Sequence, residues 1–362
     1  MGQPLPDGAL VDPFGGAGDL RERRLRAVGE GSFARDPLRV LRLARLACEL
    51  GFTVEPTTAA AARKVAPRLE KVAPERVFEE LKRIVCSERP VAGFELMDRL
   101  AATESVLPEL TALRGVEQSR FHHLDVREHT LAVLGEAVAL ERDPSGALGP
   151  HAQAVDVFLR GPLANDLSRW QALRLGALLH DVAKPQTRSV THEGRVTFMS
   201  HDRRGADVAR AVLTRLRGAE RLREHVALLV RHHLRLGFLV HQMPVTRTAV
   251  YEYLEACEPV AIDVTVLSVA DRLATRGERS EEAIAKHLAL AAQMLGEALQ
   301  WAENPPQAPL RGDELARELG LAPGPEVGRI LSELRRAAFA NEIGSRAQAI
   351  DRARALLRAS DG

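Results

Sequence analysis

Apolar residues recur with helical period along most of the chain. Over residues 36–52 (DPLRVLRLARLACELGF), Leu38, Leu41, Ala44 and Cys48 fall on one face, and Arg39, Arg42 and Arg45 fall on another. Asp36 reads as the N-cap of this helix, Pro37 suits its first position, and Gly51 closes it. The same periodicity predicts helices over 57–67, 74–86, 91–102, 127–140, 168–183, 203–217, 219–232, 246–257, 261–274 and 279–302. The tail gives two or three more, and Ser345 to Gln348 has capping-box spacing before the last of them. Strand signals are weak, with only 195–199 reading as extended. The fold class expected is all-α, an elongated multi-helical protein. Proline and glycine mark 143–150 (DPSGALGP) and 304–309 (NPPQAP) as loops. The first reads as an insertion between two helices of one domain, and the second as the start of a C-terminal unit. No repeat of 20–50 residues is present.

Composition narrows the class. With 45% hydrophobic and 27% charged residues over 362 positions, the chain is ordinary globular material rather than disordered or low-complexity. No apolar run is long enough to span a membrane, and the N-terminus has no basic, apolar leader pattern. Cys48, Cys86 and Cys257 fit neither a disulfide framework nor zinc spacing, which suits a reducing cytoplasm. A net charge of +1 implies no nucleic-acid partner by itself. Locally, residues 19–45 carry eight arginines against four acids. That stretch reads either as a solvated face or as a phosphate-facing surface.

The strongest chemistry lies in the middle of the chain. His129, the adjacent pair His180-Asp181, and Asp271 follow one another on apolar-periodic segments, with His201, His232 and His233 between them. Imidazoles and carboxylates are the usual ligands of borderline divalent metals. One such histidine alone is more often a satisfied core residue. Four polar groups at apolar helix edges would each need a buried partner, and a shared metal supplies one. A carboxylate can also bridge two ions about 3.5–4 Å apart, the arrangement used in metal-assisted phosphoester hydrolysis.

This order resembles that of the HD phosphohydrolase superfamily, whose metal ligands run H…HD…D. By that resemblance His129, His180, Asp181 and Asp271 are ligands, and His201 and His233 match the extra histidines of members holding two ions. His233 is preferred to His232 because it precedes Leu234. Lys184 follows the HD pair, where the resemblance has it meet a phosphate oxygen; otherwise it is a surface lysine before Pro185. The chain from about Asp12 to Leu357 also resembles the bacterial tRNA nucleotidyltransferase/poly(A) polymerase family. The motifs, in family order, are DPFGGAGDL (12–20), DPLRVLRLAR (36–45), PERVFEELKR (74–83), LPEL (107–110) and GDELARELGLAPGPEVGRIL (312–331). The resemblance implies that Asp36 and Arg39 pair with a nucleotide base and that Arg42 and Arg45 help hold the nucleotide. Arg35 stands where the family commonly has Glu.

The family's polymerising head needs a GG-x-V-R-D turn and a D-x-D pair. The chain has no D-x-D triplet, and its single GG, Gly15-Gly16, is followed by no V-R-D. The expectation is a relative lacking that head: 1–60 a head remnant with the nucleotide-selecting helix, 61–118 neck helices, 119–278 an HD body, and 279–362 an RNA-holding tail. The expected activity is metal-dependent phosphoester hydrolysis on RNA ends or nucleotides, with one or two divalent ions held by His129, His180, Asp181, His201, His233 and Asp271. Asp181 and Lys184 would do the catalytic work, and RNA of tRNA type and nucleotides would be the partners. The alternatives are the RNA- and nucleotide-binding portion of a CCA-adding enzyme whose catalytic head is absent or on another chain, and a non-catalytic RNA-binding module with a structural metal.

Overall fold

The computed structural model describes residues 11–118, 124–275 and 280–360. The expected boundary at 118/119 adjoins, and that at 278/279 falls within, a segment outside the described residues, and the first ten residues of the expected N-terminal unit also lie outside them. The protein is all-α, an elongated multi-helical body. Its helices of eight or more residues are α1 (Arg39–Leu50), α2 (Pro56–Val65), α3 (Pro74–Cys86), α4 (Pro90–Arg99), α5 (Val126–Arg142), α6 (Ala152–Leu159), α7 (Arg169–Leu179), α8 (His201–Arg215), α9 (Glu220–His232), α10 (Arg247–Cys257), α11 (Ala261–Ala274), α12 (Ser280–Glu303), α13 (Gly312–Leu319), α14 (Pro325–Phe339) and α15 (Arg346–Ser360). The described strands are two or three residues long and form three separate pairs. The expected extended piece is in one of them: β2 (Val196–Phe198) lies antiparallel to β1 (Arg188–Val190), with Arg188 opposite Phe198. None of the described helices is long and apolar enough to cross a membrane. All three cysteines are free, and burial pushes the thiols of Cys86 and Cys257 up to about 11 and about 12.

Local signals explain the helix ends, with three departures. Gly51 closes α1 at φ 67°, where a Cβ would also meet the Arg89 guanidinium at 2.2 Å. Asp36, however, does not cap α1 with its side chain. Its carboxylate faces Arg76 at 3.3 Å and Arg42 at 3.8 Å, because those cations compete for it more strongly than backbone N–H groups do. Ser345 accepts from Gln348 N at 3.3 Å, but the Gln348 side chain reaches back to Gly344 N instead of completing a box. Full boxes occur at Asp125–Glu128 and Ser168–Gln171, which the periodicity did not flag. Finally, the helix expected over 168–183 ends at Leu179. Pro185 has no N–H, and its ring would clash with the carbonyl four residues back, that of Asp181. The chain therefore turns at 180–183 and restarts as a short helix, Lys184–Thr187.

Three apolar clusters succeed one another. The first joins Phe33, Leu113 and side chains of α1–α4 with Leu175 and Leu178 of α7 and with Val212 and Val226 of α8 and α9. The second packs α5, α7, α10 and α11 against Leu290, Met294 and Trp301 of α12. The third belongs to α13–α15. Arg174 ties the first two together from inside α7. It pairs with Glu141 at 2.7 Å and donates to the carbonyls of Val85 (3.0 Å) and Ser87 (2.8 Å) while only 6% exposed. A buried cation so bound fixes the end of α3 against α5 and α7.

Candidate metal centre

Five segments bring the six expected metal residues together. His129 projects from α5, His180 and Asp181 from the turn that Pro185 forces after α7, His201 from the first residue of α8, His233 from the residue after α9, and Asp271 from α11. Ser200, just before His201, is left-handed at φ 61°. That turn sends Met199 outward and His201 inward. Close helix packing completes the placement: a Cβ at Gly205 would sit 2.9 Å from Val230 Cγ1, so α8 approaches α9 nearer than any larger residue allows.

The donors converge on one carboxylate. Asp181 lies 3.1 Å from His180 Nε2 and 3.8 Å from His129 Nε2 through Oδ2, and 3.4 Å from His201 Nε2 and 3.9 Å from His233 Nε2 through Oδ1. Asp271 Oδ1 is 3.0 Å from His129 Nε2. Two donor sets result, His129–His180–Asp181 and Asp181–His201–His233, each with its ligand atoms within 4.8 Å of one another. Asp181 belongs to both. Three of the rings are oriented alike: Nδ1 donates to a backbone carbonyl, His180 to Ala177 at 2.8 Å, His201 to Phe198 at 2.7 Å and His233 to Val230 at 2.6 Å. That fixes the tautomer and turns each Nε2 lone pair inward. His232 points elsewhere, accepting from Arg235 Nε at 2.8 Å.

The electrostatics suit a cation. Buried Asp181 Oδ2 has the Lys184 ammonium at 2.6 Å, whereas His180 Nε2 and His201 Nε2 are buried and make no hydrogen bond. Groups of that kind are costly unless something pairs with them. Burial works against ionising Asp181, yet the neighbouring charges of His180 and Lys184 hold its carboxyl well below the usual range. Asp271 is lowered too, against burial, by the His129 hydrogen bond and charge. Burial, then the like charge of His180, pushes His233 down to about 4, so its imidazole is neutral and able to donate a lone pair. The donor set, its orientation and its unpaired atoms therefore fit one or two divalent ions.

Lys184 is not a surface residue. It is 7% exposed, its Nζ is 2.6 Å from Asp181 Oδ2 and 2.6 Å from Gln118 Oε1, and it lies 5.3 Å from the Phe198 ring centroid. Gln118 carried no periodic signal. Two clefts meet at the donors. One, of about 560 Å³, is lined by His129, Asp181, Lys184 and the 196–203 segment; the other, of about 620 Å³, runs between α11 and α12.

The expected nucleotide residues lie apart from this centre, on and beside α1. Arg39 is exposed and donates to the Ser32 carbonyl at 3.3 Å. Arg42 and Arg45 both bind Glu80 of α3, at 2.8 and 2.7 Å, and Arg45 adds Glu49 at 2.9 Å. Arg45 is buried, so the stripe expected to face outward is split: its last member is an interhelical tie. Glu80 was missed, although an acid at the apolar positions shared with Val77, Leu81 and Ile84 is itself a signal.

A family model described as the probable RNA and SrmB-binding site of polymerase A matches residues 51–113, and an HD domain model matches 126–276. The A-adding tRNA nucleotidyltransferase of Deinococcus radiodurans is 36% identical over 344 residues, which is 93% of this chain and 72% of that protein. The chain belongs to the tRNA nucleotidyltransferase family. The CC-adding tRNA nucleotidyltransferase of Thermus thermophilus is equally similar, 36% identical over 350 residues, 94% of this chain and 71% of the relative. A Thermotoga maritima CCA-adding enzyme solved with tRNA shares the fold at a TM-score of 0.55 and 17% identity, over 98% of this chain and 69% of that one. The two matched regions place the family's HD domain around the donors and its RNA-binding region on α2–α4 and the short helices that follow, beginning just after α1.

Proposed function

We propose that the His/Asp centre is a divalent-metal phosphohydrolase acting on RNA ends or nucleotides, carried on a chain that binds tRNA through its neck and tail. The observation that carries this reading is Asp181, one buried carboxylate shared by two sets of imidazole donors. His129, His180, Asp181 and Asp271 would hold one ion, and Asp181, His201 and His233 the other. Such ions supply Lewis acidity toward phosphoryl oxygens and an ionised water near neutral pH. The chain's own residues do the rest. The Nδ1–carbonyl bonds keep three imidazoles aimed with Nε2 inward, and the buried shell keeps bulk water from competing. Lys184, held by Asp181 and Gln118, presents a fixed cation to a phosphate oxygen. Asp36, Arg39 and Arg42 would serve the base and phosphates of a nucleotide at the α1–α3 junction, away from the metal donors, while buried Arg45 holds α1 to α3 through Glu80. The test is hydrolysis of bis(p-nitrophenyl) phosphate with added manganese, cobalt or nickel. Turnover lost together with the metal in His180→Ala/Asp181→Ala supports the reading. Tight metal with no turnover of this diester or of RNA ends leaves a structural ion.

The family relatives favour a second reading, the RNA- and nucleotide-binding portion of a tRNA nucleotidyltransferase. Because the sequence holds no D-x-D triplet, the 362-residue polypeptide alone should add no nucleotide to tRNA. Addition restored by a second polypeptide bearing GG-x-V-R-D and D-x-D would support this reading.

A further inference from the structure

The cleft over the Asp181 donors has walls of two kinds. Its floor is polar and buried: His129, Asp181, Lys184 and His233. Its rim is apolar and open to water. Met199 is 77% exposed and Phe238 is 65% exposed, both line this cleft, and Phe198 lines it between Lys184 and Met199. These residues come from different segments, the end of strand Val196–Phe198 and the short helix Arg235–Leu239, so one local irregularity does not account for both. Elsewhere the chain buries most of its large apolar side chains in the three clusters, which makes a wet aromatic beside a buried carboxylate conspicuous. The left-handed Ser200 holds Met199 outward while the next residue enters the donor set. Rim and donors are thus coupled by adjacent positions, as are His233 and the helix that bears Phe238.

We propose that Phe198, Met199 and Phe238 form a nucleobase subsite, so that the substrate of this centre is a base-bearing phosphoester and not a bare sugar phosphate. This rests on the phosphohydrolase reading above and deepens it. A ribonucleotide has the matching polarity: an anion for Lys184 and the donor floor, and a flat π-face for an aromatic and a thioether a short distance away. A cleft of about 560 Å³ accommodates a nucleotide. Stacking tolerates any base, so the subsite selects for the presence of a base over its identity.

The experiment is calorimetric titration of the manganese-loaded full chain with AMP and with ribose 5-phosphate. The heat counted is the part lost in His180→Ala/Asp181→Ala, which removes binding at the α1–α3 junction from the comparison. Wild type should bind AMP at least about fivefold more tightly than ribose 5-phosphate. Met199→Ala/Phe238→Ala should abolish that preference, leave ribose 5-phosphate affinity within about twofold, and keep the manganese content. Phe238→Tyr should retain the preference, since the ring is kept. Equal affinity of the two ligands in wild type, or an undiminished preference in the double variant, overturns the subsite. If neither ligand gives donor-dependent heat, the phosphoester reading of the centre itself falls.

Discussion

Arg45 Nε donates to Glu80 Oε2 at 2.7 Å, across a contact in which both residues are less than a tenth exposed. The residue that periodicity places on an outward stripe therefore joins α1 to α3. Glu80 holds Arg42 as well, so a single acid neutralises two of the three stripe arginines. Glu80→Ala should destabilise the protein by about 3 kcal/mol, the lower end for breaking a buried pair because Arg45 keeps Glu49. Denaturant midpoints with an unchanged slope check this, and wild-type stability in the variant would make the tie energetically idle.

The same split alters what should happen to RNA affinity. Arg39→Gln/Arg42→Gln should weaken tRNA binding and flatten its salt dependence by about one to two contacts, each worth roughly 0.7–0.9 in slope. Arg45→Gln should instead lower the melting temperature and leave the slope nearly unaltered. Filter binding across a salt series distinguishes the two. A slope change confined to Arg45→Gln would reverse the assignment.

Metal content should follow the sharing of Asp181. Elemental analysis of the protein purified with manganese should give about two ions per chain. His233→Ala, touching one donor set only, should retain about one. His129→Ala, touching the other set, should also retain about one, and His180→Ala/Asp181→Ala should retain none. Full loss in both single variants would mean one ion spanning all the donors.

Acid stability has a contribution that lies outside the donor set. His287 of α12 is 5% exposed against Ser268, and burial pushes it down to about 4. Its ordinary unfolded value is about 6.5, so between these limits the unfolded chain binds the extra proton and stability rises with pH. The contribution is complete above about 6.5 and is lost as pH falls toward 4, amounting to roughly 1–3 kcal/mol. His287→Gln should flatten that part of the curve in urea melts at pH 7, 6, 5 and 4. A curve identical to wild type would show that His287 is as easily protonated folded as unfolded.

Periodicity alone determined that the protein is helical, where most of its helices run, and which histidines and aspartates lie at the edges of apolar faces. These are local properties. A 3.6-residue repeat, a helix-closing Gly51 and the order H…HD…D each need no knowledge of what a segment packs against. Tertiary structure decided the rest, because packing chooses partners between segments. Nothing in the chain order says that Glu80 would take Arg42 and Arg45 from solvent, or that Asp36 would face Arg76 and leave α1 uncapped. Lys184 could be read equally as surface or site until Gln118, 66 positions away, closed over it. The turn at His180-Asp181 is an intermediate case. Pro185 was visible in the sequence, but only the convergence of α5, α8, α9 and α11 turned a broken helix into a carboxylate shared by two sets of donors. Charges and imidazoles act over a few ångströms, and those distances exist only once distant helices have packed.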